Sequence, residues 1–290
     1  MSKVFAHSSP AVTATVADYW QLLKPRVMSL VVFTGACGLY LAPGHIHPLI
    51  AMVSLLCLSV GAGAAGCLNM WAEQKTDSLM KRTQNRPLVR GVIHVDSALA
   101  FGLILSGASV LVMAVAVHFI AALLLAFTIF FYVVVYTFYL KPRTPQNIVI
   151  GGLAGALPPV IGWASVAHAA PLEAWSLCLI ILLWTPPHFW SLAMLLIDDY
   201  NQARIPMLPC VRSQSKTLKN IVAYTLLTCL SAYGPYYLKV TSSFYVVCAS
   251  ILNILFLGGS FLLVLEKLRP LHFFTLSIFY LFFLFLAMLF

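Results

Sequence analysis

The chain has 290 residues, of which 61% are hydrophobic and only 9% are charged, and its formal net charge is +9. This apolar content exceeds what a globular core can bury, which excludes an ordinary soluble domain. The excess of basic residues is explained by membrane topology and by contact with anionic lipid head groups. We therefore expect membrane lipids as partners and no nucleic acid.

Apolar runs of about 17 to 25 residues, long enough to cross a bilayer as a helix, recur along the whole chain. They predict nine spans, near residues 22–42, 48–72, 97–117, 119–139, 147–167, 173–197, 220–239, 243–264 and 271–290. The runs lack the alternation of a membrane β-barrel, so we expect an all-α integral membrane protein. Residues 1–290 are expected to form a single polytopic domain, with residues 1–20 as a flexible cytoplasmic N-terminus.

The basic residues predict the orientation, because Lys and Arg of short loops prefer the cytoplasmic side. With nine spans and a cytoplasmic N-terminus, 16 of the 17 Lys and Arg residues fall inside, and only Lys239 falls outside. The first 20 residues lack the features of a cleaved signal or of an organelle transit peptide. We therefore expect a multi-pass protein of the bacterial inner membrane with a periplasmic C-terminus.

The glycines Gly61, Gly63 and Gly66 match the G-x-G-x-x-G pattern of a dinucleotide-binding turn. Such a turn needs a strand before it and a helix after it, and a membrane span supplies neither. Small residues inside membrane helices instead allow two backbones to approach closely. We expect close helix packing here and at the glycines of stretch 151–155.

Acidic residues mark the predicted cytoplasmic ends of two spans. Glu73 and Asp77 follow the second span, and Asp198 and Asp199 follow the sixth. With Asn69 the first pair reads N-x-x-x-E-x-x-x-D, a spacing that places three oxygen-bearing side chains on one helix face. Such residues are costly at the end of an apolar helix unless they pair or serve a site, and Mg²⁺ prefers oxygen ligands. The pattern predicts that Asn69, Glu73, Asp77 and Asp199 bind magnesium.

Basic residues lie close to these carboxylates in the sequence. Guanidinium groups bind phosphate oxygens in a bidentate fork, and Lys neutralises them as a point charge. The alternative is that these are positive-inside residues with incidental acidic partners. We predict a diphosphate site formed by Lys75, Arg82, Arg86, Lys141 and Arg143.

Four segments together carry a resemblance to a known family: NMWAEQKTDSLMKRTQNRPL, LKPRTPQNIVIGGLAGALPPVIGWA, TPPHFWSLA and DDYNQARIPMLP. They closely resemble the heme-directed branch of the UbiA prenyltransferase superfamily, across about residues 20–210. The resemblance implies nine helices around a central substrate cavity and two acid-rich motifs that bind Mg²⁺ and a prenyl diphosphate. The residues that match these catalytic motifs are Asn69, Glu73, Asp77, Asp198 and Asp199.

The sequence departs from the superfamily pattern at two places. A Tyr and a Lys near the end of the fourth span are usually separated by three residues, whereas four residues separate Tyr136 from Lys141. Arg204 stands where Gly is common. Glu73, in the place of the superfamily's Asp, is typical of the heme branch.

The resemblance implies transfer of a farnesyl group from farnesyl diphosphate to a vinyl group of protoheme IX, with addition of water, giving heme O for terminal oxidases. A downstream heme-modifying enzyme is then an expected partner. One alternative is a related enzyme that prenylates an aromatic acceptor such as 4-hydroxybenzoate, against which Glu73 and TPPHFW argue. The other is a transporter, which usually places its charges near the midplane, whereas these charges crowd one face.

The TPPHFW motif predicts the heme-binding residues, His188 and Trp190. An ionisable side chain inside a span is costly and suggests a function. Pro186 and Pro187 are expected to kink or unwind the helix, and a neutral imidazole could then ligate heme iron or orient its propionates. A hydrogen bond from His188 to a carbonyl freed by a proline is an equal alternative.

Overall fold

The computed structural model describes residues 14–290, and every regular element in this range is helical. In chain order the elements are α1 (Val16–Leu22), α2 (Pro25–Leu41), α3 (Pro48–Ala72), α4 (Gln74–Asp77), α5 (Val95–Val112), a π-helix (Met113–Val117), α6 (Phe119–Phe130), a second π-helix (Phe131–Leu140), α7 (Asn147–Ala156), α8 (Pro158–Ala167), α9 (Leu172–Met194), α10 (Ile197–Gln202), α11 (Leu208–Val211), α12 (Gln214–Ser231), α13 (Gly234–Tyr237), α14 (Ser243–Val264) and α15 (Pro270–Ala287).

Each predicted span coincides with one helix or with two consecutive helical segments. Within residues 14–290, seven helical stretches are long and apolar enough to cross a membrane, and a pair bent by 59°, Val16–Leu22 with Val27–Leu41, is an eighth candidate. The span near 220–239 does not qualify, because α12 begins with polar turns that contain Lys216 and Lys219. The all-α membrane class is confirmed, and the count of nine stays a prediction.

A short capped helix lies within the expected flexible N-terminus. Residues 1–13 lie outside the described part of the chain, but α1 begins at Val16 behind a capping box. The Asp18 carboxylate accepts a hydrogen bond from Thr15 N at 3.0 Å, and Thr15 Oγ1 accepts one from Asp18 N at 3.3 Å. These bonds satisfy backbone donors that a helix start leaves unpaired. From Val16 the segment has a defined helical conformation, and its flexibility stays a prediction.

Helices α2 and α8 approach so closely that backbone meets backbone. A Cβ added to Gly162 would lie 2.0 Å from Gly35 O, and one added to Gly38 would lie 2.0 Å from Pro159 O. Small residues permit this contact, since in a membrane helix association depends on packing.

The predicted close approach at the glycine-rich stretches is confirmed at most positions. A Cβ on Gly61 would lie 2.9 Å from Leu125 Cδ1, and one on Gly151 would lie 2.2 Å from Tyr136 Cδ2. Gly155 is different, because a Cβ there would have nothing within 4 Å. The expectation of close packing is therefore wrong at Gly155.

The π-helix Phe131–Leu140 explains the unusual spacing of Tyr136 and Lys141. Lys141 N donates to Tyr136 O at 2.9 Å, and Thr137 Oγ1 donates to Tyr132 O at 2.8 Å. A π-helix closes its turn between residues five apart, where an α-helix uses four. Tyr136 and Lys141 are thus one turn apart in spite of the extra residue between them.

We expect Gly162→Ala to lower the free energy of unfolding by about 1–3 kcal/mol, because the new methyl group would overlap backbone atoms of α2. Gly107→Ala is the matched control, since a Cβ at this position in α5 would meet nothing within 4 Å. Thermal unfolding of the purified protein in detergent measures both. Equal melting temperatures for the two variants would contradict the packing of α2 on α8.

Candidate active site

Four helix termini meet at one end of the bundle and bring the two acidic segments together. We call residues 69–90 acidic segment 1 and residues 198–216 acidic segment 2. Segment 1 begins in the last turn of α3, and segment 2 begins in α10. Side-chain contacts link them to Lys24 at the start of α2 and to Lys141 at the end of the second π-helix. The site is therefore assembled from parts of the chain that are distant in sequence.

Acidic segment 1 keeps its helical spacing through a break at Glu73. Helix α3 ends at Ala72, but Glu73 N donates to Asn69 O at 3.0 Å and Asp77 N donates to Glu73 O at 2.8 Å. These bonds join residues four apart, as in an uninterrupted α-helix. The predicted stacking of Asn69, Glu73 and Asp77 at successive turns is confirmed.

The Asn69 amide is held at both of its ends. Lys24 Nζ donates to Asn69 Oδ1 at 2.8 Å, and Asn69 Nδ2 donates to Thr137 Oγ1 at 3.0 Å. Asn69 is buried, and these two partners fix which way its amide points.

The two carboxylates of acidic segment 1 are each paired with a basic residue. Lys141 Nζ lies 2.5 Å from Glu73 Oε1, and Arg86 Nη1 hydrogen-bonds to Asp77 Oδ2. Both carboxylates are buried, and only 1% of the surface of Asp77 is exposed to solvent. Burial raises the pKa of the Asp77 carboxyl, and the charge of Arg86 opposes that rise. The second oxygen of Asp77, Oδ1, is buried and has no hydrogen-bond partner within residues 14–290.

Asp199 joins acidic segment 2 to acidic segment 1. Its Oδ1 accepts a hydrogen bond from Lys81 N at 3.3 Å, and its Oδ2 accepts one from Arg82 N at 3.2 Å. Successive backbone N–H groups of this kind form a binding site for an anion. Met80 and Tyr200 belong to one buried apolar cluster directly beside this contact. The neighbouring Asp198 is less deeply buried than Asp199.

Residues 30–286 match the UbiA prenyltransferase family. The chain belongs to this family. A protoheme IX farnesyltransferase of Rickettsia bellii (strain OSU 85-389) is 49% identical over 278 residues, which cover 95% of this chain and 93% of the relative. The apo structure of a UbiA homolog from Aeropyrum pernix K1 has a TM-score of 0.75 at 16% identity and covers 91% of this chain and 97% of its own. The structure of a UbiA homolog from Archaeoglobus fulgidus bound to GPP and Mg²⁺ has a TM-score of 0.58 at 15% identity. The match covers 93% of this chain and 99% of the homolog.

Four of the five predicted diphosphate residues occupy two kinds of position in this UbiA family chain. Arg86 and Lys141 are half-buried and bound to carboxylates. Lys75 and Arg82 are exposed, and the Arg82 guanidinium lies 5.9 Å from the centre of the Tyr200 ring. Two of these four residues thus lie at the paired carboxylates, and the other two lie at the protein surface.

Arg143 is not brought to the carboxylates. Its Nη1 donates to Phe138 O at 2.7 Å and to Tyr139 O at 3.1 Å, and its guanidinium lies 4.9 Å from the centre of the Tyr139 ring. A basic side chain in this place satisfies carbonyls at a helix end. The structure thus gives Arg143 a capping role at the end of the π-helix.

The prolines before His188 do not unwind α9, so the expected unwinding is wrong, and the expected kink stays a prediction. The helix runs without interruption from Leu172 to Met194 with both prolines inside it. His188 Nδ1 lies 2.7 Å from Ser277 Oγ of α15, so its partner is a hydroxyl and not a carbonyl freed by a proline. The imidazole stacks on the Trp184 ring at 4.2 Å and on the Phe274 ring at 4.5 Å.

Trp190 lies apart from these contacts. Its ring is buried and meets the Tyr224 ring of α12 edge-on at a centroid distance of 5.4 Å. His188 contacts α15 instead. The structure does not bring the two predicted heme-binding residues together, and it gives Trp190 a packing position.

Arg204 occupies a backbone conformation that suits glycine. Its φ is 53°, in the left-handed region that costs an ordinary residue about 1–2 kcal/mol. Arg204 thus adopts a conformation that glycine could adopt without this cost.

Lys24 and Thr137 are site residues that the sequence does not reveal. The positive-inside pattern alone accounts for Lys24, and Thr137 lies within an apolar run. Both reach Asn69 from other helices. The one sequence signal for Lys24 is the proline that follows it. A proline often occupies the first position of a helix, so Pro25 places the basic side chain of Lys24 at the start of an apolar helix.

The side chains of segment 1 fit a magnesium ion that shares its coordination with substrate. Asn69, Glu73 and Asp77 present oxygen atoms, and the unpartnered Asp77 Oδ1 suits a cation. Within residues 14–290, no three His, Cys, Asp or Glu side chains are grouped closely enough to hold a metal by themselves. Mg²⁺ usually takes one or two carboxylates and completes its shell with phosphate oxygens and water, which this arrangement permits.

We expect Lys141→Met to lower the free energy of unfolding by about 3–5 kcal/mol, because it leaves the buried Glu73 carboxylate without its partner. The double variant with Glu73→Gln should recover most of that loss. Lys75→Met, at an exposed position, should change stability by less than about 0.5 kcal/mol. Thermal or chemical unfolding in detergent measures the two single variants, Lys141→Met and Glu73→Gln, and the double variant. If the two single effects add up to the effect of the double variant, Glu73 and Lys141 are not coupled.

Proposed function

We propose that this protein transfers a farnesyl group from farnesyl diphosphate to a vinyl group of protoheme IX, with addition of water, to form heme O. The observation that carries the proposal is the group of buried, paired charges at one end of an apolar bundle: Glu73 with Lys141 and Asp77 with Arg86. Such a site suits a substrate with a charged diphosphate head and an apolar tail. The choice of acceptor is supported by the 49% identical protoheme IX farnesyltransferase.

Magnesium is assigned to oxygen atoms of both acidic segments. Asn69, Glu73 and Asp77 would supply ligands from segment 1, and Asp199 would supply them from segment 2. Each Asp199 oxygen accepts one N–H and keeps a further lone pair for a cation. The fold relative from Archaeoglobus fulgidus, which is bound to GPP and Mg²⁺, supports this assignment.

The diphosphate is assigned to the basic side chains of the same end. Arg86 and Lys141 are paired with Asp77 and Glu73 in this structure. They would bind phosphate oxygens of the diphosphate if those carboxylates held magnesium. Arg82 and Lys75, which are exposed, contact the diphosphate from the mouth of the site. Arg143 is left out of this set, because its guanidinium is held by backbone carbonyls.

The chemistry follows from charge placed at the diphosphate. When bound, magnesium draws electron density from the phosphate oxygens, and Arg86 and Lys141 add to that stabilisation. The farnesyl C1–O bond breaks and its electron pair leaves with the diphosphate. The stacked rings of Tyr132 and Tyr136, with centroids 5.5 Å apart, offer π faces to the allylic cation.

The acceptor then completes the reaction. The terminal vinyl carbon of protoheme supplies the electron pair of the new bond to farnesyl C1, which leaves a cation on the carbon next to the porphyrin. Water adds to that cation and releases a proton to solvent, giving a hydroxyethylfarnesyl group. His188 of α9 is assigned to binding protoheme, and Trp190 to packing against α12.

The cellular setting follows the charge pattern of the sequence. We place the protein in a bacterial inner membrane with its N-terminus cytoplasmic and its C-terminus periplasmic, since 16 of 17 basic residues then lie inside. The product, a lipophilic heme, passes to a downstream heme-modifying enzyme or to a terminal oxidase.

The purified protein should convert protoheme, farnesyl diphosphate and Mg²⁺ into an adduct heavier than protoheme by farnesyl plus water, with 4-hydroxybenzoate present as a competing acceptor. Mass spectrometry of the products measures this directly. Asp77→Asn should reduce turnover about 10²–10³-fold, because it removes charge from the buried site.

Asp96→Asn, at an exposed carboxylate at the start of α5, serves as the control and should turn over like the unaltered protein. Prenylation of the phenol alone would overturn the proposed acceptor. Absence of any adduct from folded protein would overturn the enzymatic function.

A further inference from the structure

The His188 imidazole is enclosed on three sides by protein. Trp184 and Phe274 stack on it at ring-centroid distances of 4.2 and 4.5 Å and interplanar angles of 19° and 24°, so they cover its two faces. Nδ1 lies 2.7 Å from Ser277 Oγ. Within residues 14–290, Nε2 has no hydrogen-bond partner. The edge that carries Nε2 is thus the part of the ring left for a ligand.

The hydrogen bonds of Ser277 determine where the imidazole proton lies. Ser277 Oγ donates to Phe274 O at 2.6 Å, and a hydroxyl has a single proton to donate. With that proton directed to Phe274 O, Ser277 Oγ is the acceptor toward His188, and Nδ1 carries a proton. An imidazole inside an apolar span is neutral, because its charged form is costly there. The proton on Nδ1 then leaves Nε2 with a free lone pair.

We propose that Ser277 is a positioning residue that sets the tautomer of His188, so that Nε2 is presented as a ligand to the iron of protoheme. The inference rests on the proposed function, in which His188 binds protoheme. Histidines that ligate metals usually donate their other ring N–H to a neighbouring group, which fixes the tautomer and the ring orientation. Ser277 fills that place, and neutral imidazole is a common axial ligand of heme iron.

The enclosure would also fix the direction of a bond from Nε2 to iron. The flanking Trp184 and Phe274 rings prevent rotation of the imidazole, and Trp184 is itself held by a 2.8 Å hydrogen bond from its Nε1 to Ser277 O. A porphyrin lies roughly perpendicular to its axial bond. The orientation of His188 therefore sets the plane of the acceptor, and Ser277 influences that plane through both of its contacts.

Ser277→Ala should weaken protoheme binding about 10-fold and alter the absorption spectrum of the bound iron, because Nδ1 loses its acceptor. Ser277→Thr, which keeps the hydroxyl, should restore both. Thr275→Ala is the matched control: this α15 hydroxyl is exposed and donates to Leu271 O at 3.0 Å. Protoheme titration of the full-length protein without farnesyl diphosphate gives the affinity and spectrum of each variant.

The outcomes separate this inference from the proposed function. If His188→Ala changes the iron spectrum but Ser277→Ala binds protoheme like the unaltered protein, the role of Ser277 is overturned and the function stands. If His188→Ala leaves the spectrum unchanged, iron ligation by His188 is overturned. Turnover of protoheme is measured independently, and its absence despite a normal iron spectrum would overturn the function alone.

A second measurement is made on the unaltered protein. Nitrogen NMR of the ¹⁵N-histidine-labelled protein reports which ring nitrogen of His188 carries the proton, with His188→Gln used to assign its signals. We expect a protonated Nδ1 and an unprotonated Nε2. A protonated Nε2 in the heme-free protein would overturn the inference.

Discussion

A carboxylate at the end of an apolar helix must find a positive partner, because burial of an unpaired charge is very costly. In this protein that constraint organises one end of the bundle. Glu73 and Asp77, at and just beyond the end of α3, are paired with Lys141 from the second π-helix and with Arg86 from the following loop. Asp199 finds its partners in the backbone of that same loop. These contacts hold the segments together beside the buried apolar cluster that contains Met80 and Tyr200.

The same pairs prepare the site for a metal and a diphosphate. Under the proposed function, each paired carboxylate would serve as a magnesium ligand and each paired cation as a phosphate ligand. If Mg²⁺ and diphosphate entered together, the partners would exchange and every charge would remain compensated. Entry of either alone would leave a buried charge without a partner, so the arrangement favours joint binding. The apolar helices beyond these charges suit a prenyl tail.

Local geometry explains which parts of this site the sequence could predict. Span positions follow from apolar runs, and the alignment of Asn69, Glu73 and Asp77 follows from helical spacing. The contacts of Lys24 with Asn69 and of Lys141 with Glu73 join residues 45 and 68 positions apart, so they depend on how the spans pack. The π-helix that corrects the Tyr136 to Lys141 spacing has no marker in the apolar sequence. The partner of His188, Ser277, comes from the last helix, 89 positions away.

The exchange of partners is tested most directly by calorimetric titration of farnesyl diphosphate with and without Mg²⁺, and of Mg²⁺ with and without farnesyl diphosphate. We expect each to bind at least about 10-fold more tightly in the presence of the other, and by the same factor in both directions. Mg²⁺ binding to the ligand-free protein as tightly as to the diphosphate complex would contradict the exchange. The carboxylates would then be open to metal without release from Lys141 and Arg86.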